Sequence, residues 1–114
     1  MQSHPEIENE LKTLLGEMGE LLPETLESFG RLQQATFKAG ALDEKTKELI
    51  ALGIAISQSC DGCIAWHNAA LKRLGSSVEE VAEVAAVAVE MGGGLALHPA
   101  NRPSSLRLSR GSTQ

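Results

Sequence analysis

Glu48-Leu49-Ile50-Ala51-Leu52-Gly53-Ile54-Ala55-Ile56-Ser57-Gln58-Ser59-Cys60-Asp61-Gly62-Cys63-Ile64-Ala65-Trp66-His67 is the stretch that decides the fold. Its first half, read from about Glu44 to Ser57, is a helix with almost no polar surface after Glu48, and a helix that apolar belongs at the centre of a domain. Ser57-Gln58-Ser59 breaks the pattern. A second helical run then covers Ile64 to Leu74 and stops at Gly75, the residue best suited to a left-handed helix end. Two helices joined by so short a break form a tight antiparallel hairpin, and this hairpin carries both cysteines.

Working outward, Asp43 stands where an N-cap is needed for the apolar helix. Before it, Leu26, Phe29, Leu32, Ala35 and Ala39 mark a helix expected to close at Gly40. Pro23 bounds that helix from an earlier one, whose stripe is Ile7, Leu11, Leu14, Leu15, Met18, Leu21 and Leu22. After the hairpin, Ser77-Val78-Glu79-Glu80 is a capping box, in which hydroxyl and carboxylate each satisfy a free backbone N–H. A fifth helix with Val81, Val84, Ala85 and Ala88 on its inner stripe is expected to end near Met91. Gly92-Gly93-Gly94 has no lysine or hydroxyl of a phosphate loop and reads as a place of close helix packing. No strand is visible, so the class is all-α: about five helices with a CxxC-bearing helical hairpin.

Composition agrees. The 114 residues suit one domain, the aromatic content is only 3%, and alanine and leucine dominate the apolar set, which favours helix over sheet. The expected division is a helical domain over residues 1–97 and a flexible basic tail over 98–114, where Arg102, Arg107 and Arg110 stand without any acid. Fifteen acidic against ten basic residues give a net charge of −5, which argues against nucleic acid as a partner. The sequence begins with neither a basic flank nor an apolar stretch and holds no long apolar run, so neither an export signal nor a membrane partner is expected. A cytoplasmic protein is the reading. Thiols are kept reduced there, so two nearby cysteines are a poor structural staple and a good reagent.

The residues that can do chemistry are Glu48, Cys60, Cys63 and His67. A helix beginning near Asp61 sets its free N–H groups and the positive end of its dipole beside both sulfurs, which favours thiolate. His67 lies one turn beyond Cys63 on the same face, in place to exchange a proton with it. Across the hairpin, Glu48 falls near His67 and would orient the imidazolium. Two other readings stay open at this point. Two Cys, one His and one Glu are a possible though unusual zinc set, and cysteines can be merely structural beside a core histidine.

The spacing Glu48-x11-Cys60-x2-Cys63-x3-His67, with Trp66-His67-Asn68-Ala69-Ala70 and the apolar helix before it, resembles the carboxymuconolactone decarboxylase superfamily in its alkylhydroperoxidase D-like branch. The likeness covers about residues 20–97. It implies an all-helical fold, trimeric or hexameric assembly, and reduction of a small peroxide at the expense of an external dithiol or thiol protein. No cofactor and no bound metal are expected. Carried over, Cys63 is the peroxide-reactive thiol, Cys60 the resolving thiol, and Glu48 with His67 the proton relay. Asp61-Gly62 stands where better-characterised peroxidases often have a second histidine. The alternatives are a lactone-acid decarboxylase, a branch known for lacking the cysteine pair, and a non-enzymatic metal-binding or structural oligomer module.

Overall fold

A computed structural model describes residues 4–97, with five helices in the order α1 His4–Leu21, α2 Pro23–Phe37, α3 Glu44–Ser57, α4 Asp61–Arg73 and α5 Val78–Leu97. The described residues are helices and turns, in keeping with the all-α class. The expected tail at 98–114 lies outside them. α3 and α4 form the central hairpin; α5 packs on α3 and α1 on α4, while α2 lies against α1 and touches α3 more lightly. Among the described residues no helix is long and apolar enough to cross a membrane.

The core is built from small side chains. Leu52 and Ala55 of α3, Ala65, Ala70 and Leu71 of α4, and Ala88 of α5 are its buried apolar members. Alanine at most of these positions lets helix axes approach closely, and the two leucines fill what remains.

Most helix ends follow from local chemistry. Asp43 caps α3 by accepting the Thr46 N–H at 2.7 Å. α4 ends in a Schellman turn: Gly75 takes φ +76°, its N–H bonds Lys72 O, and the Ser76 N–H bonds Leu71 O. The capping box at α5 is complete, with Glu80 N–H on Ser77 Oγ at 3.1 Å and Ser77 N–H on Glu80 Oε1 at 2.8 Å.

Two expected ends are corrected. α2 stops at Phe37, and Lys38 takes an extended conformation rather than handing over to a left-handed Gly40. The cause is a distant lysine: Lys47 of α3 sends its ammonium to Thr36 O at 2.9 Å and Lys38 O at 2.6 Å, satisfying carbonyls that a glycine turn would otherwise serve. α5 does not end near Met91 but runs on to Leu97. Glycine weakens a helix without removing its N–H, and Pro99 is the first residue beyond Met91 that cannot continue one. Close packing is also absent at Gly92, where a Cβ would meet nothing within 4 Å.

Glu80 has a second task. Its other oxygen pairs with Lys45 Nζ at 2.8 Å, tying the start of α5 to the start of α3. The Lys45 ammonium first, and the Ser77 N–H second, lower its pKa from 4.5 to about 2. A carboxylate depressed in the folded state stabilises the fold above its unfolded pKa, and that contribution disappears as the pH falls from 4.5 towards about 2. Glu80→Gln should therefore lower the urea midpoint at neutral pH, with the gap to the parent closing across this acid window. A gap that does not change with pH would contradict the assignment.

Candidate functional site

The site is assembled where α3 hands over to α4. Gln58 closes α3, and the next residue, Ser59, is left-handed with φ +53°. Its N–H bonds Ile56 O and the Cys60 N–H bonds Ala55 O, both at 3.0 Å, so this is a second Schellman turn built without glycine. An L-residue in that region costs about 1–2 kcal/mol. Cys60 then serves at once as the last bonded residue of the turn and as the N-cap of α4. Its carbonyl accepts the Ile64 N–H at 2.9 Å, and its sulfur accepts the Cys63 N–H at 3.3 Å.

Cys60 and Cys63 are joined as a disulfide, with Cα atoms 5.3 Å apart. They are not equivalent: Cys60 is half-buried and Cys63 exposed. Between them, Gly62 is pressed by α1. A Cβ there would lie 2.9 Å from Leu11 Cδ1, so Leu11 occupies the space that a side chain between the cysteines would use.

One turn along α4, His67 Nδ1 meets Glu48 Oε2 at 2.6 Å, with side-chain exposures of 16% and 10%. Glu48 is the buried charged residue of the described core. A carboxylate only accepts, so Nδ1 carries the hydrogen and Nε2 is left as the ring's second polar atom. Phe37, the last residue of α2, lies against the ring with centroids 5.6 Å apart and a tilt of 31°. The imidazole is thus held on one side by a charge and on another by a hydrocarbon wall.

All four residues singled out from the sequence gather at this hairpin, as a disulfide and an imidazole–carboxylate pair. Phe37, Lys47 and Leu11 were not singled out. Each acts on residues nine or more positions away, and nothing local in the sequence marks them. Trp66 is half-buried. Among the described residues no group of three or more His, Cys, Asp or Glu is placed to hold a metal ion.

Comparison with known proteins gives a family. The pattern of the carboxymuconolactone decarboxylase family matches residues 23–101, a span that includes Glu48, Cys60, Cys63 and His67 and excludes α1. The chain is 34% identical over 85 residues to an uncharacterized protein of Cupriavidus necator, covering 75% of each. It is 38% identical over 76 residues to uncharacterized protein 4 in the cox locus of Paracoccus denitrificans, covering 67% of this chain and 68% of that one. The crystal structure of an apo carboxymuconolactone decarboxylase family protein from Legionella pneumophila is similar with a TM-score of 0.76 and 42% identity. It covers 80% of this chain and 81% of that one.

A buried carboxylate held by one imidazole should be energetically coupled to it. In a double-mutant cycle of Glu48→Ala and His67→Ala, read by urea unfolding, we expect a coupling of about 1–3 kcal/mol. Additivity of the two losses would show that the contact contributes nothing to stability.

Proposed function

The chain belongs to the carboxymuconolactone decarboxylase family, and from that premise we propose that it is a cytoplasmic thiol-dependent peroxidase of the alkylhydroperoxidase type. The family includes alkylhydroperoxidase-like and decarboxylase-like members. The observation that carries the choice is the Cys60–Cys63 disulfide at the head of α4, with the His67–Glu48 pair one turn further on.

In this reading the Cys63 thiolate attacks the outer reach of the peroxide O–O bond. Sulfur takes one oxygen and becomes a sulfenic acid; the other oxygen leaves as an alkoxide and is protonated to the alcohol. The Cys60 thiol then displaces hydroxide from the sulfenic sulfur, forming the disulfide and water. His67 moves the proton at Cys63, and Glu48 stabilises the imidazolium that results. An external dithiol returns two electrons and restores both thiols. Cys63→Ser should abolish reaction with peroxide, and Cys60→Ser should permit a first oxidation that goes no further. Glu48→Gln and His67→Ala should each slow turnover by about 10²-fold. Intact mass after one equivalent of peroxide checks the roles: oxygen gained by Cys63→Ser and not by Cys60→Ser would reverse them. Unchanged activity in both cysteine variants would remove the redox reading altogether.

Homo-oligomeric assembly, as a trimer or hexamer, belongs to the same reading. Ile50 and Ile54 of α3 and Val87 and Met91 of α5 are large exposed apolar residues lining a groove of about 610 Å³ between the two helices. None of the four site residues lines it. Contiguous apolar surface of this kind marks an interaction site. Light scattering at micromolar concentration should return a multimer; a monomer would count against assembly.

A further inference from the structure

We propose that the two sulfurs have fixed and different duties when the disulfide is reduced: an incoming thiolate attacks Cys63, and Cys60 is the sulfur that leaves. This deepens the peroxidase reading and rests on it for its place in a cycle, although the exchange itself needs no peroxide.

Two independent criteria select the same direction. The first is access. A thiolate must approach the attacked sulfur from outside the S–S bond, and Cys63 is exposed where Cys60 is half-buried. The second is the leaving group. The sulfur whose thiolate is better stabilised departs faster, and Cys60 Sγ already accepts the Cys63 N–H at 3.3 Å from the N-cap of α4. Negative charge arriving on Cys60 therefore meets a donor and a helix dipole already in position. Cys60 is also the better anchored of the two as a cap, held through its own N–H by Ala55 O and through its carbonyl by the Ile64 N–H.

The step balances as follows. One thiolate of an external dithiol forms a bond to Cys63 Sγ; the Cys60–Cys63 bond breaks, and its electron pair goes to Cys60 as thiolate. The donor's second sulfur, deprotonated, attacks its first, and Cys63 leaves as thiolate. The donor departs as a disulfide, oxidised by two electrons, and its two protons pass to solvent or to the new thiolates. His67 follows Cys63 by one helical turn, and this reading assigns its Nε2 the proton of the approaching thiol.

Glutathione, a monothiol, serves as the probe because its mixed disulfide, trapped by alkylating the freed cysteine, records which sulfur was attacked. The oxidised full-length chain is treated briefly with it and quenched with N-ethylmaleimide. Trypsin then releases the peptide from Glu48 to Lys72, which holds both cysteines, for fragmentation. We expect glutathione on Cys63 with maleimide on Cys60, in about tenfold excess over the reverse isomer. Equal amounts, the reverse preference, or no adduct would overturn the proposal. As a second measurement, Cys60→Ser and Cys63→Ser are each loaded with thionitrobenzoate on the remaining cysteine. Glutathione should release the label from Cys63 about ten times faster, and equal rates would again overturn it. Glutathione found on Cys63 in a chain that consumes no peroxide sinks the peroxidase reading and keeps this assignment. Peroxide turnover with glutathione on Cys60 does the opposite.

Discussion

The contact between Glu48 and His67 constrains the rest of the molecule. The carboxylate of a glutamate that is only 7% exposed cannot keep its water, so it must find a partner inside the protein. The imidazole of α4 is that partner at 2.6 Å, and the contact is possible only if α3 and α4 hold one relative register. The alanine core follows from the same demand. Bulkier residues at Ala55, Ala65 or Ala70 would push the two helices apart and strand the charge.

The connection between these helices is correspondingly short, and it economises on residues by giving Cys60 two structural jobs. The residue ends one helix turn and begins the next, so its sulfur sits at a helix start without any loop to carry it there. The left-handed Ser59 immediately before it is the conformational cost of this arrangement. Backbone strain next to the disulfide fits a chain selected for where it holds its sulfurs as well as for stability.

Much of this was legible in the sequence because it depends on residues close in the chain. Asp43 with Thr46, Ser77 with Glu80, the left-handed Gly75 and the i, i+4 relation of Cys63 to His67 all fall within one helical turn. Glu48 was within reach because a hairpin folded near Ser59 sets position 52 opposite His67, with Glu48 one turn beyond. What could not be read depends on tertiary contact. The end of α2 is set by Lys47, nine and eleven residues away, and not by the nearby Gly40. Phe37 reaches His67 from another helix, and Leu11 reaches Gly62 from α1. α5 outruns its sequence signal for a different reason: three glycines lower helix propensity without forbidding a helix, and proline is the residue that forbids one.

Lys47 and Glu48 are neighbours in sequence with divergent targets. One holds the end of α2, whose last residue Phe37 lies on His67, and the other holds His67 itself. A single residue gained or lost in α3 after this pair would swing both side chains by about 100° around the helix axis relative to the hairpin turn. The imidazole would lose its charge and its wall together. The stretch from Leu49 to Ser57, packed on α5 along one side, is thus closed to changes of length whatever substitutions it accepts. In a lineage of such proteins, drift in residue identity should accumulate along this helix while its count of residues stays frozen.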